Sequence, residues 1–121
     1  MNKKRRREII GAISIAEKIQ KEFEDVQEAV NKDQVDQFMS ELNKLLKIVS
    51  DILSEEEYSF NNMPDGLQES DNGIVSQEAQ ENLGEAVNSL YEAITLLSNG
   101  SVNDDTIDAI IDAIIYMEDS V

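Results

Sequence analysis

Apolar residues recur along this chain at alternating intervals of three and four, the spacing that gathers side chains on one face of an α-helix. In the first segment Ala12, Ala16, Ile19, Phe23, Val26 and Val30 step by 4, 3, 4, 3 and 4. That is a heptad seam, and Ile9, Ile13 and Ile15 widen its stripe near the start. Asn31-Lys32-Asp33 reads as a short break, with Asp33 as the expected N-cap of the next helix. There Val35, Phe38, Leu42, Leu45, Val49 and Ile52 step by 3, 4, 3, 4 and 3, and Met39, Leu46 and Leu53 form a flanking row. In the third segment Ala79, Leu83, Ala86, Leu90, Ala93 and Leu97 repeat the pattern, flanked by Val87 and Ile94. Asn99-Gly100 is a strong stop, because glycine accepts the left-handed conformation just past a helix end. A fourth segment opens at Asn103-Asp104-Asp105, whose acids suit a helix N-terminus. Ile107, Ile110, Ile111, Ile114 and Met117 line one of its faces, and Asp108 and Asp112 the other.

The pattern predicts a single all-α domain over residues 1–121, a helical bundle with helices at about 5–30, 34–60, 74–98 and 104–118, two long and two shorter. Short connections make neighbouring helices antiparallel. The broad stripes on the second and fourth helices exceed what one hairpin buries, so a homodimer that completes the core is an expected partner arrangement. The longest connection is 61–75. Within it Met63-Pro64-Asp65-Gly66 fits a β-turn, with Pro at the second position and Gly at the fourth. Met63 and Leu67 are expected to tuck back onto the helix ends, capped by Asn62 or Ser70, while Ser76 is an alternative start for the third helix.

Composition removes several chemistries. The chain has no His, Cys or Trp, which excludes disulfides, thiolate and imidazole metal sites, and His- or Cys-based nucleophilic catalysis. No Gly-rich phosphate loop or Gly-x-Ser-x-Gly elbow is present, and Tyr58, Tyr91 and Tyr116 stand alone. Asp104, Asp105, Asp108 and Asp112 share a helical spacing that could in principle hold a cation. They lack the EF-hand loop spacing and read as an exposed acidic face. The chain is read as a non-enzyme, with no cofactor and no metal. No apolar run reaches the 18 or so residues of a membrane span, and the basic opening lacks the apolar core of a secretory signal. A cytoplasmic protein without a membrane partner is therefore expected.

Charge then divides the chain. The formal net charge is −16, yet residues 1–47 hold all 10 Lys and Arg against 9 acids, while residues 48–121 hold 17 acids and no basic residue. Solubility accounts for a negative balance. A basic partner for the acidic part accounts for the complete absence of Lys and Arg after Lys47. Direct contact with nucleic acid is disfavoured by repulsion from phosphate. The cluster Lys3-Lys4-Arg5-Arg6-Arg7 has three readings: a frayed tail, a nucleic-acid contact, or a contact with an acidic surface of this chain or a second copy.

The segment Phe60-Asn61-Asn62-Met63-Pro64-Asp65-Gly66-Leu67-Gln68-Glu69-Ser70, flanked by acidic helices, resembles small acidic helical proteins of phages and prophages of Gram-positive bacteria. Their pattern is an aromatic-x-Asn-Met-Pro-x-x-Leu-Gln-x-Ser core, and the Met-Asn-Lys-Lys-Arg-Arg-Arg opening is similar too. The resemblance covers the start and residues 55–97. It implies a phage context and brings no catalytic or binding residues with it.

Together these features predict an interaction protein that inhibits a host nucleic-acid-binding defence enzyme, a nuclease for example, by occupying its basic surface as a DNA mimic or anti-CRISPR protein does. The candidate contact residues are Glu78, Glu81, Glu85, Glu92, Asp104, Asp105, Asp108 and Asp112. The alternative is a homo-oligomeric helical assembly accessory of a phage.

Overall fold

In a computed structural model, residues 1–26 and 30–121 are described. Among them are five helices and no strand: α1 (Lys3–Val26), α2 (Lys32–Asn61), α3 (Asp65–Gln68), α4 (Asp71–Ser98) and α5 (Asp104–Ser120). Residues 27–29, expected at the end of the first helix, lie outside the described residues. The helix boundaries have local causes. Asn2 Oδ1 accepts the backbone N–H of Arg5 at 2.8 Å, so the basic cluster forms the first turns of α1 rather than a frayed tail. The N-cap of α2 is Asn31, not Asp33. Its side chain accepts from Gln34 N (2.9 Å) while its own N–H donates to Gln34 Oε1 (3.0 Å), a reciprocal capping box that an aspartate two residues later cannot make.

The long connection is more helical than its sequence suggests. Pro64 adopts φ −55° and ψ 146°, so it precedes a turn instead of occupying its second position. Its carbonyl accepts from the N–H of Leu67 and of Gln68, which closes the single turn α3. Ser70 caps α4 through the Gly73 N–H. As a result α4 begins at Asp71 and has 28 residues, longer than the 24 of α1. Leu67 does not tuck back: it is 55% exposed. Gly73 is needed for this junction, because a Cβ there would collide with the backbone carbonyl of Gln68. Gly100 (φ +80°) ends α4 in a Schellman motif, with Ser101 N–H donating to Leu96 O (2.8 Å) and Gly100 N–H to Leu97 O (3.0 Å). Asn103 then caps α5 by accepting from Asp105 N.

The four long helices close into a ring in which α1 packs on α2, α2 on α4, α4 on α5 and α5 on α1. Neighbours run antiparallel, as the side chains that meet record. Arg5 reaches Glu56 while Phe23 packs edge-on against Phe38, with ring centroids 5.3 Å apart. The expected seams meet at the centre: Ala12, Ala16, Ile19 and Phe23; Phe38, Leu42, Leu45, Val49 and Ile52; Leu83, Ala86, Leu90, Ala93 and Leu97; Ile107, Ile110, Ile114 and Met117. Val26, Val30 and Ile111 are only partly buried, and Ile15 is exposed at 41%. The α4–α5 contact is the most extensive in the fold. Alanines at 79, 86 and 93 on α4 and at 109 and 113 on α5 are buried and small. The breadth of the α2 stripe is used within one chain. Leu42, Leu45 and Val49 are fully buried and Leu46 nearly so, because α2 touches both α1 and α4. That stripe therefore supplies no argument for a second copy.

Candidate functional site

Helical periodicity places the eight sequence-derived acids in two rows. Glu78, Glu81, Glu85 and Glu92 follow one another by 3, 4 and 7 along α4; Asp105, Asp108 and Asp112 follow by 3 and 4 along α5, with Asp104 beside them. All eight are exposed. The rows lie on adjoining helices, and one hydrogen bond sets their register: Asn82 Nδ2 donates to the carbonyl of Asp119 at 3.4 Å. Asn82 stands four residues after Glu78 and three before Glu85, so the glutamate row borders the side of α4 that faces α5. In this antiparallel register Asp104 lies level with the C-terminal end of α4, and the combined flank runs from Glu78 to that level. At 1.5 Å per residue this is about 28 Å; the exposed Glu118 and Asp119 of α5 fall within the same span, so the flank carries one carboxylate per about 2.8 Å. One strand of duplex DNA carries a charge about every 3.4 Å along the axis.

Neither α4 nor α5 carries a Lys or Arg, and none of Glu78, Glu81, Glu85, Glu92, Asp105, Asp108 or Asp112 is in an ion pair with a described residue. Among the described residues, no three acidic side chains converge as a metal cage would require. The charge is thus spread along two rigid rods. The helices that carry every Lys and Arg, α1 and α2, form the other half of the ring. Sequence polarity becomes polarity across the bundle.

A second polar feature escaped the sequence reading. Glu56 is 2% exposed and Ser76 1%. Arg5 Nε donates to Glu56 Oε2 at 2.7 Å, Ser76 Oγ donates to Glu56 Oε1 at 2.7 Å, and the N-terminal ammonium lies 3.5 Å from Oε1. Gln80 Nε2 donates in turn to Ser76 Oγ. A signal for this cluster exists in the chain. Arg5 continues the seam of Ile9 and Ala12, Glu56 the seam of Val49 and Ile52, and Ser76 the seam of Ala79 and Leu83. Each seam ends on a polar residue, and antiparallel packing brings the three ends to the same pole. A cleft of about 320 Å³ opens over them, bordered by Arg6, Ser59, Met63 and Asn72. Both oxygens of Glu56 are engaged, so the cluster ties α1, α2 and α4 together and leaves no carboxylate oxygen unpartnered for acid–base work. Of the three readings of the basic cluster, the contact with an acid of the same chain is the one Arg5 makes.

No helix among the described residues is long and apolar enough to cross a membrane. No family model matches the chain, and neither does any curated protein or solved structure.

Proposed function

We propose that this is a phage-encoded acidic interaction protein whose α4–α5 flank occupies the basic surface of a host nucleic-acid-binding defence enzyme, in the manner of a DNA mimic or an anti-CRISPR protein. One observation carries the reading: two rows of exposed carboxylates on helices with no Lys or Arg of their own, at a linear density between the about 3.4 Å per charge of one DNA strand and the about 1.7 Å of the duplex. Solubility alone needs net charge, not a continuous single-sign face on rigid elements. The helices are held by a buried apolar core, so the backbone that presents the charges is ordered before encounter and only side-chain ordering adds a cost on binding. The phage origin rests on the resemblance of the loop and the opening residues.

The partner is a basic protein, and the contact is electrostatic, so association is fast at low salt and weakens as the Debye length falls to about 10 Å at 0.1 M. The test is displacement of labelled duplex DNA from nucleases of a Gram-positive host at low salt. Displacement that fades with added salt supports the proposal. Failure to displace DNA from any of a panel of such nucleases overturns it.

A further inference from the structure

The chain contains two Asn-Gly pairs in contrasting settings, and we infer that Asn99 is a site of spontaneous backbone-mediated deamidation while Asn72 is protected by the fold. The reaction needs no enzyme and only water as co-reactant. The Gly100 backbone nitrogen loses its proton to solvent base and bonds to the side-chain carbonyl carbon of Asn99. The side-chain amide nitrogen leaves as ammonia, giving a five-membered succinimide. Water then opens either carbonyl of that ring, yielding aspartate or isoaspartate. Glycine is the favourable successor because it has no Cβ to crowd the approach.

Asn99 and Gly100 are both exposed, past the last turn of α4. The Gly100 nitrogen is held by one bond, to Leu97 O, at a helix end where opening is cheap. Asn72 is different. It lies inside the first turn of α4, and its successor Gly73 is buried, with its N–H donating to Ser70 Oγ and no room for even a Cβ beside the Gln68 carbonyl. Reaction there requires α3 and the start of α4 to separate. Deamidation at Asn99 places a new negative charge at the negative end of the α4 dipole. The isoaspartate product lengthens the main chain inside the Schellman motif and disturbs the Ser101–Leu96 bond.

The experiment is incubation of the folded full chain at mildly alkaline pH, followed by cleavage after glutamate only, which leaves the aspartate product uncut, and mass spectrometry. Residues 93–118 report Asn99 and residues 70–78 report Asn72. Folded, Asn72 is expected to react at least about tenfold more slowly, the suppression that about 1.4 kcal/mol of local opening gives. In denaturant the two sites should converge. Asn99→Gln, at an exposed position, should abolish the fast signal while leaving the circular dichroism unchanged. Equal rates at both sites in the folded chain, or no reaction at Asn99 when the denatured control reacts, would overturn the inference.

Discussion

Replacing Arg5 by Met removes the guanidinium that donates to Glu56 Oε2 at 2.7 Å. The carboxylate then stays buried, at 2% exposure, with Ser76 and a more distant ammonium at 3.5 Å as its remaining partners. Breaking a buried pair from one side costs about 3–5 kcal/mol, because an uncompensated charge stays out of water. For 121 residues the unfolding entropy near 60 °C is about 0.25 kcal/mol/K, so 3 kcal/mol lowers Tm by about 12 °C. Glu56→Met should cost a comparable amount, since it leaves the mostly buried Arg5 side chain without its carboxylate. The double variant Arg5→Met with Glu56→Met replaces the pair by apolar side chains in seam positions. It should recover most of the loss and lie within about 1–2 kcal/mol of the parent or above it, as buried pairs replaced by apolar residues often do. Thermal melts of the parent, both single variants and the double variant close the cycle. Additive losses, or a single Arg5→Met variant that melts with the parent, would refute the claim that these side chains form one buried unit.

Other substitutions separate local causes of the fold. Gly73→Ala should destabilise despite alanine's better helix propensity, because the Cβ meets the Gln68 carbonyl; overpacking costs about 1–3 kcal/mol. Gly84→Ala, in the same helix with nothing within 4 Å of the added Cβ, should stabilise by about 1 kcal/mol, and urea titration of the two variants reads opposite signs. Asn31→Ala should cost about 1 kcal/mol through loss of the capping box, visible as a lower denaturation midpoint with an unchanged slope.

Periodicity was the most informative feature of the chain. The α2 and α4 seams could be read residue by residue because a 3–4 step leaves little choice of face, and all but Val35 of those residues are buried. Exposure of the eight acids was equally legible, since each falls off the seam. What was not legible depended on partners distant in sequence. Ile15 satisfies a widened stripe, yet stands exposed because helix position alone does not say how far each neighbour reaches. Pro64 fits the second position of a β-turn, but the Asn62 cap and the Leu67 and Gln68 donors place it before α3 instead. Glu56 stands in the run Glu55-Glu56-Glu57, and only the meeting of three seam ends reveals its burial. The alignment of the two acidic rows required the Asn82–Asp119 register.

The flank is the centre of the functional account, and neutralising it without unfolding the bundle is the most direct test. Glu78, Glu81, Glu85 and Glu92 changed to Gln, with Asp105, Asp108 and Asp112 changed to Asn, removes seven exposed carboxylates and no core contact. Fluorescence anisotropy of labelled duplex DNA on a nuclease that the parent protein displaces is the readout. The account expects the parent to release the DNA at low salt, and the neutralised variant, at the same melting temperature or above, to leave it bound. Release by the variant at the parent's concentration would contradict it.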